Sequence, residues 1–522
     1  MVLTTEEIKD YRTVIMDEAT LLRGYILEHK ARYERLLTDI ENELEDKTKV
    51  SIHMLNDDCL KKILLYLSPI DLIRNGVFVC KRWFITCTEI LFCVCTLKLC
   101  DKIIPWSPKE NCSFYRMVPN RLYFALNFSQ EVVSNLTISG PEVVDKREIE
   151  FPDLTHVTLP AISVFCPNLT VLEISRFHLH NLTPCTLPGT VRELTVNCCE
   201  LLEADLNCIL CGLCSLVKLD VSENALITGE SIINNLQNNL MRNISVRSCA
   251  SLDPAVMEFI FINYKETLEE LNASLNQIKL FEMLINSPEP KPIMSVLKSF
   301  KVSEKCYNDF LRDARGTVVS TFDMRILPVL QRMPCLEVLY IQTVPYWGFR
   351  NVSYVSRADY LDTLAEVLLN LRVLNLTRCP KNPRCLEQFK RLQEVTLDFS
   401  FGYICNDRYM SLLGGSLVNC TCLQILHIVV ESPKLKFHPD SASLIYRLIF
   451  DYLTDNTLLV TLTVSVKLIK GDSLGPIKVD REAISRGLRT RNTPLRIVLR
   501  NSELQNSDFI DIPSCVSFVF EG

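Results

Sequence analysis

From about residue 136 onward, this 522-residue chain repeats one short phrase: an apolar residue, a second three positions later, and a third two positions after that. The phrase recurs at Leu154/Val157/Leu159, Leu169/Leu172/Ile174, Val191/Leu194/Val196, Leu216/Leu219/Val221, Met241/Ile244/Val246 and Leu268/Leu271/Ala273. It continues at Leu297/Phe300/Val302, Leu336/Leu339/Ile341, Leu371/Leu374/Leu376, Leu392/Val395/Leu397, Leu423/Leu426/Ile428 and Leu459/Leu462/Val464. Alternation over its last three positions is the period of a strand with one buried face. A lone unit of this kind cannot bury its apolar side, so units must stack on their neighbours. The expected class is α/β, a solenoid over residues 136–522. Several gaps lie near the roughly 20 to 29 residues of such repeats and others are much longer, so the array is degenerate.

Three positions after the last apolar residue of several units stands a small polar or thiol group, namely Cys199, Asn224, Cys249, Asn276 and Cys379. Such a group can hydrogen-bond the backbone where the strand turns back. In these features the region resembles the leucine-rich repeats, which implies a horseshoe with a concave strand face. Side chains alternate along a strand, so the residues between the buried leucines point to that face. The candidates for holding a target are Arg247, Glu270, Asn272, Lys301, Tyr340, Asn375, Asp398 and His427, in a row that also carries Asn243, Ser245, Gln342, Thr377 and Glu394. A mixed polar row suits a folded protein or a modified peptide better than an oily small molecule. Trp347, in the inserted segment Pro345 to Arg350, is either a further anchor or a plug for the end of the core.

A different texture occupies residues 51–90. Leu60, Ile63, Leu64 and Leu67 recur at i, i+3, i+4 and i+7, the stripe of a helix opened by Asn56 or Asp57. Ser68 and Asp71 read as a capping box with Pro69 at the first helical position. Leu72, Gly76, Val79, Cys80 and Trp83 mark the buried side of this second helical stretch. So short a unit hides too little surface to satisfy these groups alone, which predicts a partner. The order from Leu55 to Trp83 resembles the F-box, with Asn56 standing where that family usually has proline. The resemblance implies that Leu55, Leu60, Ile63, Leu64, Leu67, Pro69, Leu72, Val79, Cys80 and Trp83 bind the Skp-type adaptor of a Skp–cullin–F-box ubiquitin ligase, and through it a cullin–RING complex. With the repeats, it implies a non-catalytic receptor that presents an unknown protein substrate for ubiquitination and proteasomal degradation. The alternative is a non-degradative repeat scaffold whose F-box-like segment is a vestigial cap.

Ahead of that module, residues 1–50 carry Ile15, Ala19, Leu22, Ile26, His29, Tyr33, Leu36 and Ile40 at alternating spacings of four and three. This amphipathic helix is open to two readings, a coiled coil or a single helix packed on the body. Residues 91–135 form a connecting and capping segment, with strand-like stretches at Cys95 to Leu99 and Leu122 to Phe128. No secretory signal and no membrane-length apolar run is found, so the chain is expected in the cytoplasm or nucleus and its 23 cysteines are expected in reduced form. A net charge of -6 with scattered basic residues gives no footprint for nucleic acid or anionic membrane. Cys208, Cys211 and Cys214 have metal-like spacing, but between two repeat strands they read as core thiols, and no cofactor or metal is expected. The seven histidines and 15 glycines form no nucleophile, metal or phosphate-loop motif.

Overall fold

The computed structural model describes residues 55–67, 71–72, 76–91, 96–99, 132–140, 158–179, 182, 187–237, 240–274, 294–305, 310–312, 318–320, 329–344, 360–376, 383–398, 407–432, 459–468, 488, 493–500 and 514–521. The heptad of residues 1–50, Pro69, the stretch Leu122 to Phe128, Asn276, Trp347, Thr377 and Cys379 lie outside them. The chain divides into two compact units, 1–216 and 217–522.

The first unit opens with helices α1 (Asp57–Leu64) and α2 (Lys81–Leu91), separated by a 3₁₀ turn at Gly76–Phe78. Strands β1 (Thr96–Leu99), β2 (Asn135–Ser139), β3 (Val171–Ser175) and β4 (Glu193–Asn197) come next. Each pairs in parallel with its successor, Leu136 facing Leu172 and Leu172 facing Leu194. Helix α3 (Thr158–Phe165) precedes β3, and α4 (Glu203–Leu210) comes after β4. Parallel neighbours need a crossover, and these helices supply it. The expected strand at Leu154/Val157/Leu159 is corrected: Leu159 belongs to α3. Leu159, Ile162 and Cys166 are buried together at helical spacing, and Pro160 is tolerated because it sits in the first turn.

The second unit carries β5 (Lys218–Asp220), β6 (Asn243–Ser245), β7 (Glu270–Ser274), β8 (Ser299–Lys305), a small antiparallel pair β9 (Phe310–Arg312) and β10 (Val318–Ser320), then β11 (Val338–Val344). It continues through β12 (Val373–Leu376), β13 (Glu394–Asp398), β14 (Ile425–Ser432), β15 (Thr461–Leu468), β16 (Leu495–Arg500) and β17 (Val516–Glu521). Its parallel sheet runs in that order, with β8 beside β11 and the antiparallel pair set apart. Helices α5 (Glu230–Asn235), α6 (Pro254–Asn263), α7 (Tyr360–Val367) and α8 (Asp407–Asn419), with a 3₁₀ turn at Pro383–Gln388, occupy the returns. The array of parallel strands and returning helices is that of a leucine-rich-repeat-like solenoid. The three apolar positions of each phrase form buried columns, for example Leu268, Leu271 and Ala273 or Leu371, Leu374 and Leu376.

Several strands end in the same way. Asn224 donates its side-chain N–H to the carbonyls of Val221 at 2.8 Å and Ser222 at 3.3 Å, and Cys249 donates its thiol to Val221 O at 3.2 Å. Cys199 does likewise to Asn197 O at 3.1 Å and Ile174 O at 3.7 Å. The residue just before each of these, Cys198, Glu223 or Ser248, has left-handed backbone with φ 54°, 63° and 61°, as has Arg176 at 62°. Tight turning there is costly for non-glycine residues, and the following side chain's hydrogen bonds to the freed carbonyls offset it. At the equivalent place after β2 stands Gly140, where a Cβ would come within 2.1 Å of Arg176 O, so only glycine lets the two backbones approach. Burial pushes the Cys199 and Cys249 thiols up to about 12, which keeps them protonated donors.

Candidate functional sites

In the helical module, Asn56 caps α1 by accepting the Cys59 N–H at 2.7 Å, an ordinary N-cap in place of the proline the resemblance would expect. Arg82 on α2 donates to Asp57 Oδ1 at 2.7 Å and to the Leu55 carbonyl, clamping the two helices at that end. Lys61 and Glu89 meet at 3.3 Å farther along. Between the helices Leu60, Leu64, Leu72, Val77, Cys87, Ile90 and Leu91 form one buried cluster, with Trp83 and Phe84 packed against it. Gly76 permits this packing, since a Cβ there would meet Cys87 Sγ at 2.8 Å.

The residues named from the sequence therefore separate into two groups. Leu60, Leu64, Leu72 and Cys80 are interior, Leu55 and Trp83 are half-buried, and the module closes its own core with them. Ile63 at 43 %, Leu67 at 40 % and Val79 at 44 % exposure stay outside, and so do Leu65 at 61 %, Tyr66 at 90 % and Ile85 at 49 %. A single stripe over Leu60, Ile63, Leu64 and Leu67 is thus split: its i, i+4 pair Leu60/Leu64 faces in, and Ile63/Leu67 faces out. Ile85 was not legible as a surface residue, because it sits within a run of apolar residues on α2.

In the repeat unit, register brings one polar row together: Asp220, Ser245, Asn272, Lys301, Tyr340, Asn375, Thr396 and His427 are successive cross-strand partners. Glu270 and Glu394 lie in the adjoining row. Lys301 Nζ contacts Glu270 Oε1 at 2.6 Å and sits 5.5 Å from the centre of the Tyr340 ring, while Asn243 donates to the other Glu270 oxygen at 2.9 Å. Burial raises the Glu270 carboxyl, yet hydrogen bonds from Lys301 and Asn243 and the nearby Lys218 charge outweigh it and hold the group below its ordinary value. Burial pushes the Tyr340 hydroxyl up, with Glu394 adding to it and Lys301 opposing. His427 Nε2 lies 3.7 Å from Glu394 Oε1. Arg247 pairs with Glu223. The Asp398 backbone is in β13, and its side chain is outside the described residues.

A second surface lies at the other end of each phrase. The residue before the first buried apolar position and the residue after it form two columns flanking a groove of about 820 Å³. The first column is Leu240, Thr267, Val296, Cys335, Asn370 and Arg391; the second is Arg242, Glu269, Lys298, Glu337, Arg372 and Gln393. In the second column, Lys298 meets Glu269 at 2.9 Å and Arg242 meets it at 3.4 Å, and the two cations hold the Glu269 carboxyl below its usual range. Sequence reasoning overlooked this groove; two solvent positions bracketing the first leucine of each phrase were the available signal.

The core-thiol reading of Cys208, Cys211 and Cys214 is corrected as well. Cys211 and Cys214 are exposed in the turn after α4, beyond its buried Leu206, Ile209 and Leu210, and only Cys208 is half-buried. Among the described residues no group of three or more His, Cys, Asp or Glu is placed to hold a metal, and no helix is long and apolar enough to cross a membrane.

No family model and no curated protein matches the chain. Solved structures similar to it include the Rad7 and Elc1 complex in yeast, at 12% identity over 99% of this chain and 98% of that one, with a TM-score of 0.40. Another is the mouse RP105/MD-1 complex, at 14% identity over 74% of this chain and 57% of that one, with a TM-score of 0.34.

Proposed function

We propose that this chain is the target-binding subunit of a Skp–cullin–F-box ubiquitin ligase, docking on the adaptor through the module of residues 55–91 and holding a target on its repeats. The observation that carries the reading is the exposed set Ile63, Leu65, Tyr66, Leu67, Val79 and Ile85 on a module whose own core is already closed. Fully burying an exposed aliphatic side chain gains about 1.5–3 kcal/mol, and these groups, already partly covered, gain a share of that when a partner closes over them. Tyr66, 90 % exposed, is of the residue type enriched among interface anchors. The residue order from Leu55 to Trp83 supplies the identity of the partner, by its resemblance to the F-box.

The mechanism is tethering. Adaptor and target bound to one chain raise the effective concentration of the target near a charged ubiquitin, and the bond-making groups belong to the partners. Purified adaptor titrated onto the full-length protein tests it. Tyr66→Asp with Leu65→Asp should lower adaptor affinity by roughly a hundredfold or more, on the scale of hot-spot losses. Unchanged affinity would place docking elsewhere. Adaptor binding without co-purifying cullin would favour the scaffold alternative.

A further inference from the structure

The groove along the sheet of the second unit lies outside the proposed docking module, and its two walls differ. One wall is the column Arg242, Glu269, Lys298, Glu337, Arg372 and Gln393, in which charge alternates and mostly cancels: Glu269 serves Arg242 and Lys298, and Glu337 lies 3.7 Å from Arg372. The other wall begins with Leu240, 70 % exposed, passes Thr267, Val296 and Cys335, and ends at Asn370 and Arg391. Arg391 donates to the neutral Asn370 side chain at 2.8 Å, and Arg372 gives two N–H groups to the neutral Gln393 oxygen at 3.0 and 3.1 Å. Glu266 also lines the β6 end, so that end offers one large exposed apolar side chain, Leu240, among the paired charges of Arg242 and Glu269. Among the described residues Arg391 has no carboxylate partner, so the β13 end carries uncancelled positive charge.

We propose that this groove holds an extended segment of the target protein, with an apolar side chain against Leu240 and a carboxylate between Arg391 and Arg372. The inference rests on the reading of the repeats as the target-holding part. Five inter-strand steps of about 4.8 Å separate β6 from β13, a span of roughly 24 Å that about seven extended residues cover. A carboxylate fits better than a phosphate. At the β13 end the two cations Arg391 and Arg372 face the single anion Glu337, and the one positive charge left over matches a monoanion, whereas a dianion would leave excess negative charge beside Glu337.

Fluorescein-labelled nine-residue peptides titrated onto the full-length protein provide the test. One carries Leu and Glu about seven positions apart; companions replace Glu by Lys or phosphoserine, or bring Leu and Glu within about three positions. The Glu peptide should bind best, and Arg391→Glu should weaken it about tenfold while improving the Lys peptide. Leu240→Asp should weaken every long-spaced peptide. Both positions are solvent-exposed, so melting temperature and adaptor capture should stay at wild-type values. No binding by any peptide, equal binding of Glu and Lys forms, preference for phosphoserine, or indifference to spacing would each overturn the proposal. Since adaptor capture is measured on the same variants, loss of this inference leaves the docking proposal standing, and the reverse also holds.

Discussion

The helical module and the repeat sheet expose opposite kinds of surface. On the module, large apolar groups such as Leu65 and Tyr66 stand in water although seven others already fill a core beneath them. Along the sheet, polar groups dominate and largely answer one another, as Glu270 does with Lys301 and Asn243. Covering the first surface is favourable against almost any complementary oily face, which suits a standing attachment. Displacing water from the second surface is favourable only where a ligand replaces the hydrogen bonds it breaks, which suits discrimination. Under the proposed function, one region secures the chain and the other chooses what it carries.

The contrast breaks most visibly at Leu64. Leu64→Asp buries an unpaired charge in a small core and should cost about 3–5 kcal/mol, enough to open the module. Limited proteolysis would then cut within residues 55–91, whereas the exposed Tyr66→Asp should leave the pattern unchanged. Equal proteolytic resistance of both variants would mean that the two groups of leucines are not distinct. On the sheet, Asn224→Ala removes a buried side chain that satisfies two turn carbonyls, and a loss of about 1–3 kcal/mol is expected in urea unfolding. No loss would show that the turn does not depend on it. The smallest effect is a gain. Ser248→Gly relieves a left-handed backbone while keeping the N–H that reaches Ser274 Oγ at 2.6 Å, and should stabilise by up to about 1 kcal/mol.

Strands β3 to β8 and β11 to β15 were legible because the three-then-two spacing is imposed by burial itself: each first leucine lies beneath the sheet edge and the next two alternate into the core. The same spacing failed at Leu159, where a three-residue step also fits a helix and the buried Cys166 seven positions on decides for one. It also left β16 and β17 unseen. In β16 adjacent Ile497 and Val498 are both buried, so alternation is lost. Within the module, sequence spacing located the helices but could not tell an inward leucine from an outward one. Ile63 and Leu64 are neighbours of the same chemistry, and only the position of α2 sorts them. Tyr340 and Lys301 were legible as surface residues, but their joint contact depends on strand order, since β8 lies beside β11 across the antiparallel insertion.

The first leucine of each repeat along the groove is held between two solvent-facing neighbours that never enter the interior. A substitution at either neighbour rewrites what the groove contacts without disturbing the leucine that supports it. If the groove holds a target as proposed, duplicated copies of such a gene would have a short mutational route to new cargo, one letter at a time, with the fold's integrity carried by residues that need not change.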